Sequence, residues 1–301
     1  MSLLCSICAV VGAFAATACL GGERELVRGY AGVYSPDGKY VAFEQDEGTR
    51  RRVGIVQLKT GKVAWPDLGP GSSCHAAFAP DGALYYVYGN VTNTNYELYK
   101  ANPGTGYNVF RYRKGKAERV TAGFCHDMTP AVSPDGRTLY FASTRDDRSK
   151  ANNSIFTLDL TDAAAKPVMA IAGTNNYCSG VTSPAVSPDG KTVVYGFYGG
   201  WTPPYYVMSV PADGSSEPMK LTREPEFAFA PRFDPSGRYV CYTSVLSGER
   251  YGVRILELGT GRSVRLADGR EPAFSPDGRR ILYERDGVIY ERDCNPVEVM
   301  K

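Results

Sequence analysis

The chain has 301 residues, 43% of them hydrophobic, with 33 Gly, 20 Pro and 21 Tyr, and a formal net charge of +2. That balance gives no electrostatic footprint for nucleic acid. The basic clusters Arg50-Arg51-Arg52 and residues 111–116 fall in or beside hairpin patterns, where a solvated sheet edge accounts for them.

Residues 3–20 are apolar or small throughout and run into Ala16-Thr17-Ala18-Cys19-Leu20-Gly21-Gly22, which reads as a secretory h-region followed by small residues. No Lys or Arg precedes it. The small-small-Cys ending resembles a bacterial lipobox, with Ala16 where Leu is usual. That resemblance implies a signal peptide over 1–19, a lipidated Cys19 and attachment to a membrane through the lipid. Two other readings stay open: a cleaved signal that releases a soluble exported protein, and an uncleaved anchor, since about 18 apolar residues just span a bilayer. All three put the body outside the cytoplasm, periplasmic or associated with the outer membrane.

The remainder is organised by one unit written six times. Ser35-Pro36-Asp37-Gly38 recurs as Ala79-Pro80-Asp81-Gly82, Ser133-Pro134-Asp135-Gly136, Ser187-Pro188-Asp189-Gly190, Asp234-Pro235-Ser236-Gly237 and Ser275-Pro276-Asp277-Gly278. Each copy follows a short apolar run and precedes an alternating one. Pro fixes φ, Asp hydrogen-bonds the local backbone and Gly takes a positive φ, so each copy is a β-hairpin. The prolines are spaced by 44, 54, 54, 47 and 41 residues, the period of a four-stranded propeller blade. The expected fold is all-β, a six-bladed β-propeller of four-stranded antiparallel blades filling residues 23–301.

With strands A to D in each blade and the Pro-Asp-Gly turn joining A to B, alternation assigns the rest. Strands B, C and D of blade 1 fall at 40–45, 53–58 and 63–65; of blade 2 at 84–88, 108–113 and 118–121; of blade 3 at 138–143, 154–160 and 167–171. In blade 4 they fall at 192–196, 205–210 and 218–221, and in blade 5 at 238–244, 253–258 and 263–266. Blade 6 has only 279–284 and 288–292. Residues 23–29 resemble the D-strand endings of blades 2 and 5, so the N-terminal segment is expected to supply the missing strand and hide two open edges. The competing reading fills that position with residues 297–300.

The repeat, with Pro or a small residue four before the turn proline, an apolar residue, Ser-Pro-Asp-Gly and an alternating strand, resembles the TolB-type β-propeller repeat over residues 23–295. TolB carries an additional N-terminal α/β domain for which this chain has no room, which puts a direct TolB role, including docking to the peptidoglycan-associated lipoprotein, in doubt. The repeat also resembles the non-catalytic domain of prolyl-peptidase-like enzymes, without their hydrolase half, and oligogalacturonate lyases, whose channel metal is held by several His.

Alternation puts the tight A–B and C–D turns on one face and every long or unusual connection on the other, so the second face is the candidate working face. Both histidines fall there, each after a cysteine: Cys74-His75 before blade 2 and Cys125-His126 before blade 3. Cys178 takes a similar place before blade 4. A disulfide between Cys74 and Cys125, or Cys125 and Cys178, competes with a thiolate-imidazole metal site and with ordinary buried Cys beside channel-lining His. Cys241, inside a B strand, is the candidate buried free thiol. Tyr177 and Trp201, among Asn and Pro neighbours, suit sugar or peptide contacts, with interblade packing as the alternative for the tyrosine. His126 with Asp127, or Glu271 at a channel-facing position, could form an acid-base pair.

No Gly-x-Ser-x-Gly elbow, phosphate-binding loop, His-Glu-x-x-His or dinucleotide fingerprint occurs, and no cofactor or metal is expected. Two functions remain. One is an exported, lipid-anchored module that holds a protein or cell-wall carbohydrate ligand on its long-loop face. The other is a carbohydrate-active enzyme, like an oligogalacturonate lyase, with a channel site around His75 and His126.

Overall fold

The computed structural model describes residues 22–89, 106–123, 125–146, 153–173, 179–199, 205–223, 227–245 and 250–301. They form six four-stranded antiparallel sheets. Strand A is Tyr30–Tyr34, Ser72–Phe78, Asp127–Val132, Ser179–Val186, Phe227–Phe233 and Arg270–Phe274 in blades 1 to 6. Strand B begins four residues after each turn proline, for example Tyr40–Glu47 and Thr138–Ser143. The expected strands are present, with ends moved by at most three residues. Strand D of blade 2 shifts by two residues at both ends, to Lys116–Arg119, and the Thr121 hydroxyl beyond it accepts from the Val109 N–H and donates to the Asp127 carboxylate.

The turn that repeats is built from side chains as much as backbone. In blade 1 the Asp37 carboxylate accepts from the Ser35 hydroxyl (2.7 Å) and the Lys39 N–H, and the Ser35 oxygen accepts from the Tyr40 N–H. Blades 3, 4 and 6 repeat the pattern with Asp135, Asp189 and Asp277. Blade 5 has the two residue types exchanged, and Asp234 accepts from the Ser236 hydroxyl and the Tyr239 N–H. Either order closes the same loop, because one short acceptor and one short donor are needed three atoms from the backbone.

Why the sheets form a ring follows from the B strands, which are apolar on both faces. Val41 and Phe43 pack toward blade 6 with Leu282 and Ile289, whereas Ala42 packs toward blade 2 with Leu84 and Tyr86. Four further apolar clusters join blades 2 and 3, 3 and 4, 4 and 5, and 5 and 6. Each sheet therefore needs two neighbours, and six satisfy one another in a closed circle.

The circle is fastened by the N-terminal strand Glu23–Arg28, which pairs antiparallel with Val288–Asp293 as the outermost strand of blade 6. Residues 296–299 instead make a short helix capped by Asn295, and Met300 is buried against blade 5 and 6 side chains. At the seam the Glu291 carboxylate, 2% exposed, accepts from Arg24 Nε (2.6 Å) and the Tyr34 hydroxyl (2.7 Å) and pairs with Arg280. One buried carboxylate thus ties the N-terminal strand, blade 1 and blade 6 together. Among the described residues no helix is long and apolar enough to cross a membrane.

Glu291→Ala strands a buried tyrosine and two arginines and is expected to destabilise the fold by on the order of 3–5 kcal/mol, read as a lower urea midpoint. Arg24→Ala, at a side chain 47% exposed, is expected to cost less than half of that. Equal effects would place the seam's strength elsewhere.

Candidate functional site

Each A strand carries a β-bulge at one equivalent position, seen as a register shift between residues 30 and 33, 74 and 77, 128 and 131, 182 and 185, 229 and 232, and 270 and 273. The bulged residue is left-handed in every blade: Ala31, His75, Thr129, Ser183, Ala230 and Glu271 have φ between 46° and 54°. None is glycine, Thr129 is β-branched and four precede proline, so the ring stores strain of roughly 1–3 kcal/mol per residue. A bulge re-aims a side chain, and these six line one cavity of about 340 Å³ on the channel axis. It lies at the starts of the A strands, the end from which the long connections leave.

Around that ring, five of the six bulge N–H groups are received by the blade before them. Ala31 N–H donates to Glu271 Oε2 (3.0 Å), Thr129 N–H to His75 Nδ1 (3.4 Å) and Ser183 N–H to Thr129 Oγ1 (3.1 Å). Where the preceding bulge residue is alanine, strand B supplies the acceptor. Glu44, opposite Tyr30, receives the His75 N–H (2.6 Å), and Thr243, opposite Phe229, receives the Glu271 N–H (2.7 Å). Because Nδ1 accepts, the neutral His75 ring carries its proton on Nε2.

The cavity's charges are held by burial. Glu44, 1% exposed, pairs with Arg51 at 3.2 Å, yet burial raises its carboxyl above the usual range and Arg51 only partly offsets this. Glu271 is raised by burial and by the Glu44 charge, with Arg270 and His75 opposing. Burial pulls the His75 imidazole down to about 4; Glu271 opposes this, and Arg51 and Arg232 reinforce it. Asn153, 2% exposed, donates to the Tyr198 hydroxyl at 2.8 Å. Its Oδ1 has no hydrogen-bond partner among the described residues, and both residues line the cavity.

Of the residues singled out from sequence, His75 and Glu271 meet in this cavity and His126 and Asp127 do not. His126 packs on Tyr107 with ring centroids 5.8 Å apart. Asp127 is fully buried, accepting from Thr121 (2.5 Å), Ser143 (2.6 Å) and Arg145 (2.7 and 2.8 Å). It binds strands of blades 2 and 3 to each other and has no lone pair to spare, so neither an acid-base pair with His126 nor a two-histidine centre is assembled.

Cys74 and Cys125 are not bridged in this structure. Both are buried free thiols, as is Cys241. Cys74 packs in the core between blades 2 and 3, and Cys125 Sγ donates to Asp127 at 3.5 Å. Burial, aided by Asp127, pushes the Cys125 thiol up to about 11, so the thiolate needed for exchange is scarce. Cys178, Tyr177, Trp201 and Cys19 lie outside the described residues. Among the described residues no group of three or more His, Cys, Asp or Glu is arranged to hold a metal ion.

Sequence reasoning missed Glu44, Asn153 and the ring itself. The signal was present: the residue before the Gly, Ala or Pro that lies four before each turn proline reads Ala, His, Thr, Ser, Ala, Glu, a varied position inside a repeated frame.

Six four-stranded blades, a bulged inner strand and an N-terminal fastening strand decide the architecture. The fold is that of a TolB-type propeller. The chain superposes on a putative TolB from Agrobacterium tumefaciens with a TM-score of 0.64 at 20% identity, covering 88% of this chain and 90% of that one. For TolB from Acinetobacter baumannii the TM-score is 0.58 at 18% identity, over 80% of this chain and 55% of that one. An oligogalacturonate lyase from Vibrio parahaemolyticus gives 0.56 at 14% identity, over 96% and 97%. No protein-family model and no curated protein matches the sequence. At these identities the likeness carries the TolB-type fold and nothing about the ligand.

His75 supplies the pH test. Its folded value near 4 lies below about 6.5 for the unfolded chain, so between them the unfolded state binds more protons. Its contribution is complete above pH 6.5 and is lost as pH falls toward 4, up to about 3 kcal/mol. Glu44 and Glu271, with raised values, act in the opposite sense, so the readout is wild type minus His75→Gln. That difference is expected to shrink from pH 7 to pH 4; parallel curves would refute the assignment.

Proposed function

We propose that this protein is an exported, lipid-anchored propeller that binds a protein or cell-envelope ligand on its long-loop face, with the axial cavity as the part that selects the ligand. The observation that carries this reading is the commitment of the cavity's own acid and base groups. Glu44 is taken by Arg51 and the His75 N–H, Glu271 by the Ala31 N–H, and His75 Nδ1 by the Thr129 N–H. Such a ring holds shape and offers few reactive atoms. What it leaves open is the Asn153 oxygen, which asks for a donor from the ligand.

Catalysis on a carbohydrate has the weaker footing. His126 is absent from the cavity lining, and the lyase likeness is one of fold. Export and lipidation rest on residues 3–20 and Cys19, and a periplasmic or outer-membrane location follows from them.

Two measurements test the reading. A photo-crosslinking residue at Tyr251, 46% exposed at the long-loop end of blade 5, is expected to capture one envelope component in cells, whereas the same residue at Lys191 beside the blade 4 turn is expected to capture none. Turnover of an oligosaccharide by the purified protein, abolished by Glu271→Gln, would replace binding with catalysis. Cys19→Ala is expected to abolish incorporation of a fatty-acid label and release the protein from the membrane fraction; unchanged labelling would end the lipoprotein reading.

A further inference from the structure

Three residues before each turn proline the blades carry Val33, Ala77, Ala131, Ala185, Arg232 and Ala273. Five are small or aliphatic and the sixth is an arginine. The position is the waist of the channel: Arg232 lines both the axial cavity described above and a second cavity of about 310 Å³ that opens at the opposite, tight-turn face. Its Nη1 donates to the Pro231 carbonyl at 2.9 Å. Its charge is felt by Glu271 of blade 6 and by His75 of blade 2, so the guanidinium reaches the axis. Among the described residues no carboxylate hydrogen-bonds or ion-pairs with it. Burial lowers its proton affinity, but a guanidinium stays charged at neutral pH. A partly buried cation with most of its donors unused is costly unless something else completes it.

The two cavities differ in what they would accept. The upper one holds Glu44, Glu271 and the open Asn153 oxygen, which repel an anion. The lower one is a funnel with a largely apolar lining: Ala77, Ala131, Ala185 and Ala273 at the waist, the inner edges of Phe78, Val132, Val186 and Phe233, which also pack between blades, and Pro188, Pro235 and Pro276 toward the rim. Its other charged lining residue, Asp234, is consumed by its own turn. An apolar wall ending on a planar five-donor cation matches one chemistry, a carboxylate on a hydrophobic stem, and guanidinium binds carboxylate in two parallel hydrogen bonds. The volume suits a small ligand. We propose that the funnel at the tight-turn face is a binding site for an amphipathic monocarboxylate, with the stem against the apolar lining and the carboxylate on Arg232.

The test is calorimetric titration of the purified protein with octanoate, and with octanol and octylamine as uncharged and cationic counterparts. Octanoate is expected to bind on the order of tenfold to a hundredfold more tightly than either. Arg232→Ala, which gives blade 5 the residue found at this position in four other blades, is expected to remove that preference. Arg232→Gln, which keeps a polar, unbranched but shorter side chain without the charge, is a second variant should the first fold poorly. A short peptide ending in Phe, compared as free acid and as amide, distinguishes a chain terminus from a free acid as the source. Preference for either carboxylate over its uncharged counterpart supports the site, and the tighter of the two assigns the source. Equal affinity for octanoate and octanol, or an undiminished preference in the arginine variants, would overturn it.

Discussion

A sheet that is apolar on both faces cannot be stable with one neighbour, and every other property of this molecule depends on how that demand is met. Val41 and Phe43 face one way and Ala42 the other, and the same division recurs around the molecule. Six short sheets bury both faces only by closing on one another, because any open arrangement leaves two apolar faces in water. Closure in turn creates an axis on which six inner strands converge and a seam at which the first and last blades must be joined.

Convergence on the axis has its own chemistry. Six inner strands brought together crowd their backbones, and the bulge in each relieves the crowding at the expense of a left-handed residue. That residue's N–H is turned out of the sheet ladder and needs an acceptor. The preceding blade provides it, from the bulge side chain when that is Glu, His or Thr and from strand B when it is Ala. The polar character of the cavity is therefore largely a by-product of satisfying the backbone, which is why its carboxylates and imidazole are spoken for. Arg232 and the Asn153 oxygen stand outside that scheme, and for this reason they are the groups that point to ligands.

The hairpin, the blade number, the fastening strand and the division of tight and long connections were legible in the sequence because each is local or periodic. Ser-Pro-Asp-Gly closes a turn wherever it is written, and residues 23–29 carry the signature of an outer strand. The site was only half legible. His75 and Glu271 were found by looking at unusual residues at the start of strand A, but so were His126 and Asp127, three and two residues earlier in the frame of blade 3, where the chain faces the neighbouring blade instead of the axis. Counting from the turn proline separates the pairs: His75 and Glu271 lie five before it, whereas His126 and Asp127 lie eight and seven before it. Glu44 was invisible, since a carboxylate in an apolar B strand has meaning only once Arg51 and the His75 backbone are brought beside it. The thiols misled because two Cys-His pairs look alike in one dimension while Cys74 and Cys125 enter different packing environments.

The seam also orders events in time. Residues 23–28 leave the ribosome before the other described strands, yet their hydrogen-bonding partners at 288–293 are the last strand to be made, so the circle cannot be completed before that strand has emerged. Until then blade 1 has a bare side and the leading segment hangs loose. Closure of the ring is therefore the last step of folding, possible only once the whole chain is free.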